Sequence, residues 1–208
     1  MKLFVGLGNP DSKFLRNRHN VGFMALDRVA KISSFGPWRN RCCSLLATGD
    51  LSGERILLAK PQTYYNSSGS SVYRLAHYFK VSLSDIIVFH DEIDLPLGKL
   101  RVKRSGGLAG NKGLKSIQEQ FCSTDFTRVR IGVGHPGEKS KVASFVLHDF
   151  KKSETAWLSV LLDAVVDSID RIAVGQIDRF QSDVAESMSL FHSRNANCLS
   201  PDKDCTST

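Results

Sequence analysis

Short runs rich in Val, Ile, Leu and Phe, each bounded by Gly, Pro, Asn or Asp, alternate along this chain with segments of helical apolar period. That alternation restricts the fold more than any other feature. The runs cover residues 2–8, 56–60, 85–92, 100–103 and 127–134 and read as strands. Between them, Val21, Ala25, Val29 and Ile32 recur at helical spacing, as do Val72, Leu75, Ala76 and Phe79, and Leu114, Ile117 and Phe121 indicate a third helix. Leu158, Leu161, Leu162, Val165, Ile169 and Ile172 form a long stripe, and Phe180, Val184, Met188 and Phe191 form another after a break at Gly175. These stripes read as core-facing. The expected fold class is therefore α/β, a single domain with a mixed, mostly parallel central sheet flanked by helices. Such sheets bind ligands in the crevice at the carboxyl ends of their strands.

A chain of 208 residues agrees with one domain. No apolar stretch approaches the roughly 18 residues that a membrane span requires, so no membrane partner is expected. The start, Met1-Lys2-Leu3-Phe4-Val5-Gly6, lacks the apolar region of a signal peptide, and a cytoplasmic location is expected. The five cysteines, Cys42, Cys43, Cys122, Cys198 and Cys205, include no C-x-x-C spacing and read as reduced thiols. Lys and Arg exceed Asp and Glu by 28 to 21, a net charge of +7, which favours a polyanionic partner. The domain is expected to span residues 1–191. Residues 192–208 turn to Ser, Asn, Asp, Lys, Thr and Pro and read as a polar, disordered tail.

Several chemistries lack their motifs. Gly6-Leu7-Gly8-Asn9-Pro10 follows the first strand, but the third glycine of a dinucleotide fingerprint would fall at Asp11. Neither a P-loop nor a G-x-S-x-G nucleophile elbow is present. No His and carboxylate cluster has metal-ligand spacing, and no metal is expected. What remains is Asn9, kept out of the α region by Pro10 and presented from a stiff loop, with a plain turn as the alternative. His19 stands at the entry to the first helix, where an imidazole can accept a proton from water near physiological pH. The run ending in His90-Asp91-Glu92 gathers Asp91, Glu92 and Asp94 at the carboxyl end of the sheet. One of them could orient His19 across the crevice, and a solvated acidic loop is the alternative. Lys99, Arg101 and Lys103 alternate with Leu100 and Val102, and Arg128 and Arg130 with Val129 and Ile131, so adjacent strands would form a cationic floor for nucleic-acid phosphates.

Taken together, Val5-Gly6-Leu7-Gly8-Asn9-Pro10, Arg18-His19-Asn20-Val21-Gly22, the block from Lys60 through Tyr64, Tyr65 and Asn66 to Gly69, His90-Asp91-Glu92-Ile93-Asp94-Leu95-Pro96-Leu97-Gly98, Gly113-Leu114-Lys115-Ser116-Ile117 and Arg130-Ile131-Gly132-Val133-Gly134-His135-Pro136 resemble the bacterial-type peptidyl-tRNA hydrolase family. Order and spacing agree from residue 2 to about residue 190. The resemblance implies a monomeric α/β enzyme that hydrolyses the ester joining a peptide to the terminal adenosine of tRNA, recycling tRNA from stalled translation, with no metal or organic cofactor. Carried over by position, it implies His19 as the general base, Asp91 as the carboxylate that orients it, Asn9 and Asn66 as amides holding the peptide end, and Asn9 also as an oxyanion donor. Phe14 and Tyr64 take the family's aromatic places near the tRNA end, and Lys103 and Arg130 its phosphate-gripping positions.

Two departures from the pattern matter. It reads Gly110-Asn111-Lys112-Gly113 where the family has Gly-His-Asn-Gly, and Tyr65 replaces a Met. Lys112 is expected to reach the tRNA terminus or a peptide carbonyl in place of the lost amide, since an ammonium donates but cannot accept. A catalytically silent relative serving as an RNA-binding module is the alternative, and a small-molecule esterase would leave the basic strands unexplained.

Overall fold

A computed structural model of the protein describes residues 1–32 and 34–197. Seven strands form one sheet: β1 (Lys2–Gly6), β2 (Arg39–Arg41), β3 (Ser44–Leu51), β4 (Glu54–Pro61), β5 (Ile86–Glu92), β6 (Leu100–Arg104) and β7 (Thr127–Gly132), in spatial order β2, β3, β4, β1, β5, β7, β6. The central four, β4, β1, β5 and β7, are mutually parallel. β3 and β2 extend one edge antiparallel, and β6 closes the other. The fold is thus the expected single α/β domain with a mixed sheet that is parallel at its centre.

The apolar runs form strands because both faces of the sheet are covered. In β1, Leu3 and Val5 enter one core while Phe4 enters the other, and none of the three is exposed to solvent. β5 repeats this with Ile86 and Val88 against Ile87 and Phe89, which is why such strands read as continuous apolar runs rather than alternating ones. One face carries α1 (Val21–Val29), α5 (Thr155–Ala173) and α6 (Ile177–Asn197), and the other carries α2 (Ser68–Phe79) and α3 (Lys112–Phe121). A five-residue helix, α4 (Val142–Val146), lies near the strand ends. Among the described residues no helix is long and apolar enough to cross a membrane.

The structure differs from the sequence expectations in several places. β2 and β3 were not expected. Arg39-Asn40-Arg41 contains no apolar residue, and its turn to β3 is made by Cys42 and Cys43, both at positive φ although neither is a usual turn residue. The hairpin from β3 to β4 turns at Ser52 and Gly53, both at positive φ, a two-residue signal that the sequence does contain. The helix following His19 ends at Val29, short of Ile32. α6 continues through residues 192–197, where a polar tail was expected, because an established helix can propagate through Ser, Arg and Asn without burying an apolar face. The remainder of that expected tail, residues 198–208, lies outside the described residues.

The chain order makes β1 the switch point, since β4 lies on one side of it and β5 on the other. Loops after these three strands therefore open into one crevice. Gly22 brings α1 into it: a Cβ there would stand 2.2 Å from the Phe89 carbonyl oxygen and 2.6 Å from the Leu7 nitrogen. Only glycine lets the first turn of α1 rest on the β1 and β5 backbones, and that contact places the preceding His19 beside the end of β5.

Candidate active site

The crevice is a cleft of about 760 Å³ at the carboxyl ends of β1, β4 and β5. Of the residues singled out from sequence, Asn9, Phe14, His19, Tyr64, Asn66, Asp91 and Lys112 all line it, whereas Lys103 and Arg130 do not. α4 supplies an apolar wall through Val142, Ala143 and Val146.

At its floor, His19 Nδ1 lies 2.8 Å from Asp91 Oδ2. The carboxylate side chain is 3 % exposed and the imidazole 18 %. Burial by itself would raise the Asp91 carboxyl, but His19 beside it, together with hydrogen bonds from His19 and Tyr65, outweighs burial and holds it below its ordinary 3.8. Asp91 is then an ionised, accept-only group. Nδ1 must donate to it, which leaves Nε2 of the singly protonated ring as an acceptor. Asp91 and Glu92 are buried while Asp94 is exposed, so the acidic run is not a uniformly solvated loop.

Asn9 is held at three points. Its backbone N–H donates to Asn20 Oδ1 and its carbonyl accepts from Asn20 Nδ2, both at 2.9 Å, and its Oδ1 accepts from the Tyr65 backbone N–H, also at 2.9 Å. A backbone N–H can only donate, so Oδ1 is the atom facing Tyr65. The Asn9 Nδ2 group is left to serve the cleft.

Arg18 secures the wall. It is buried, donates from Nη2 to both Glu154 carboxylate oxygens at 2.6 and 2.8 Å and from Nη1 to the Asp149 carbonyl at 2.7 Å, and has the rings of Phe145 and Phe150 over its guanidinium. Asn17 donates to the Leu147 carbonyl, and Arg18 N–H to that of His148 at 3.1 Å. The segment after α4 is thereby tied to the turn that carries His19.

At the mouth, Tyr64 is 61 % exposed and Phe14 half-buried, while Asn66, Lys112 and Lys139 are exposed. Lys112 is the first residue of α3, and Asn111 is its N-cap, accepting from the N–H groups of Gly113 and Leu114 at 3.1 Å each.

The expected cationic floor is not a set of five free charges. β6 and β7 do pair Arg101 with Arg130 and Lys103 with Arg128 on one face. However, Arg128 is buried and donates to the carbonyls of Ser105 and Gly107; burial, and then the neighbouring Arg130, lowers its pKa. Arg130 pairs with Glu92 of β5 at 2.9 Å. The anion that the alternation in β6 and β7 did not reveal comes from a third strand. Lys103 and Arg101 remain exposed. Among the described residues, no group of three or more His, Cys, Asp or Glu side chains could hold a metal ion.

Sequence reasoning did not assign roles to Arg18, Asn20 and Asn111, nor a partner to Tyr65. The first two stand inside a block of the family pattern, and that position was their only signal.

These observations accord with known proteins. The family model described as peptidyl-tRNA hydrolase matches residues 3–194. A peptidyl-tRNA hydrolase of Maricaulis maris is 52 % identical over 184 residues, covering 88 % of this chain and 92 % of that protein. One from Ruegeria sp. is 49 % identical over 185 residues, covering 89 % and 74 %. The crystal structure of peptidyl-tRNA hydrolase from Acinetobacter baumannii superposes with a TM-score of 0.83 at 31 % identity, covering 88 % of this chain and 94 % of that one. With a match across nearly its whole length, this chain belongs to the peptidyl-tRNA hydrolase family.

Proposed function

We propose that this chain hydrolyses the ester between a peptide, or an N-blocked amino acid, and tRNA, as a cytoplasmic monomer. The observation that carries the reading is the convergence, in one cleft, of the imidazole of His19 held by ionised Asp91 and the free Nδ2 of Asn9. In this reading His19 Nε2 takes a proton from water as the oxygen attacks the ester carbonyl. Asn9 Nδ2 donates to the oxyanion that forms. Asp91 stabilises the imidazolium, which returns its proton to the departing ribose oxygen, and the products are a peptide carboxylic acid and a free tRNA hydroxyl. Asn66 and Lys112 bind peptide carbonyls at the mouth, and Phe14 and Tyr64 offer faces for the terminal base of tRNA. Lys103 grips phosphate outside the cleft, and Arg130 does so while also neutralising Glu92.

A turnover assay tests this directly. N-acetylated aminoacyl-tRNA is expected to be cleaved and free aminoacyl-tRNA spared, since only the former offers an amide carbonyl next to the scissile ester. Retained tRNA binding without cleavage would instead support an RNA-binding module, and cleavage of simple esters as fast as of acylated tRNA would support a small-molecule esterase.

A further inference from the structure

Tyr65, buried in the turn between β4 and α2, touches every group assigned to the chemistry. Its ring lies parallel to that of His19, with centroids 3.4 Å apart and planes 11° from parallel. Its hydroxyl donates to Asp91 Oδ1 at 2.6 Å, while His19 occupies Oδ2. Its backbone N–H holds Asn9 Oδ1. Asn111 Nδ2 lies 2.9 Å from the same hydroxyl and can only donate to it, so the phenolic proton is directed at Asp91. The ring fits because residue 113 is glycine; a Cβ there would stand 2.5 Å from Tyr65 Cε1. Tyr65 and Asn111, both of which the sequence marks as departures from the pattern the chain resembles, bond to each other.

We propose that Tyr65, supported by Asn111, is a positioning residue that fixes the plane of the His19 ring and moderates the charge of Asp91. The inference rests on the hydrolytic reading above. Asp91 has one directed donor on each oxygen, so part of its negative charge is satisfied by a neutral phenol rather than by the imidazole. Burial, with the Asp91 charge beside it, pushes the Tyr65 phenol well above its ordinary range, so it remains a donor throughout the working pH. The other groups around the carboxylate leave this balance in place. His90 on β5 is buried, and burial lowers its pKa; Glu92 is paired with Arg130 of β7; Lys112 of α3 stands at the exposed mouth of the cleft.

The test is Tyr65→Phe, which keeps the ring and deletes the hydroxyl. Without the phenol, Asp91 stabilises the imidazolium more strongly, so the acid limb of the kcat/KM profile should move to higher pH by about half a unit to one unit, with kcat down about tenfold and KM within about twofold. Asn111→Ser, which retains an N-cap oxygen but cannot reach the phenol, should move the limb in the same direction by less; it also carries the test if Tyr65→Phe fails to fold. Titration of the 15N-labelled His19 ring by NMR should show the same displacement without any substrate. An unmoved limb and an unmoved ring titration would overturn the proposal, as would a rise in KM with kcat intact. A wild-type protein without turnover would overturn the hydrolytic reading instead, and the NMR titration would still judge the pair.

Discussion

Two regions of the same sheet, the crevice and the β6–β7 edge, use polar residues in opposite ways. In the crevice, each important polar group is bound by a partner from another element: Asp91 by His19 and Tyr65, Asn9 by Asn20 and the Tyr65 backbone, Arg18 by Glu154. On the β6 and β7 edge, Lys103 and Arg101 stand exposed, while Arg128 and Arg130 on the facing strand are engaged by carbonyls and by Glu92. Bond-making chemistry needs atoms held to within a fraction of an ångström. A polyanion needs only positive potential, which mobile exposed side chains supply. A cation in an alternating strand is therefore not by that placement a ligand for phosphate. Arg128, buried and donating to two backbone carbonyls, belongs to the architecture.

Predictions follow the same contrast. The largest effect should come from His19→Ala, which removes the base and is expected to lower turnover by about 10²- to 10⁴-fold with tRNA affinity preserved. A variant keeping half the rate would remove His19 from the chemistry and blur the distinction between the regions. Asp91→Asn should cost about a hundredfold in kcat, because an amide must turn its NH₂ toward one of two donors, His19 Nδ1 or the Tyr65 hydroxyl. Its stability should also depend on pH in a known direction. A carboxyl held below its ordinary 3.8 contributes stability that is present above that value and lost as pH falls through the lower folded value. Urea unfolding should therefore show the gap between wild type and Asp91→Asn narrowing below pH 3.8.

On the basic edge, Lys103→Ala should leave kcat and Tm unchanged and flatten the salt dependence of tRNA binding by about one unit of slope. Arg130→Ala should flatten the salt dependence likewise but, unlike Lys103→Ala, lower Tm, since it strands the buried Glu92 carboxylate at a cost of about 1–3 kcal/mol. Identical behaviour of the two variants would show that the Glu92 pair does not distinguish them. The smallest effect is expected at the mouth of the cleft, where Lys112→Glu should raise KM several-fold with little change in kcat, and Lys112→Asn should preserve or raise activity. Indifference of both constants to Lys112→Glu would leave Lys112 as a solvated first-turn residue.

The parts of the fold that were legible in sequence share one physical property. β1 and β5 are buried on both faces, and Leu3 to Val5 and Ile86 to Phe89 accordingly read as unbroken apolar runs. The stripes of α5 and α6 were equally clear, because long helices repeat their period many times. β2 was invisible because its three residues are exposed and polar and owe their extended shape to pairing with β3. α4 was missed because five residues are too few to establish a period. In the cleft, Asn9 and Asp91 could be singled out by residue type and place after strands and His19 by its place at the entry to the first helix, while their roles were implied only by the family resemblance. Tyr65 could be seen only as an unusual residue, since nothing near it in the chain shows what its hydroxyl meets.

The sequence by itself determined the order of strands and helices, the residues available at the strand ends, and the membership of the family that their spacing reveals. The tertiary structure alone decided which of those residues meet. Asp91 finds His19 across 72 positions and Tyr65 across 26, and Asn111 reaches Tyr65 across 46. A hydrogen bond is short and directional, so it depends on which strand ends become neighbours. That follows from the spatial order β4, β1, β5, β7, which local sequence pattern does not encode.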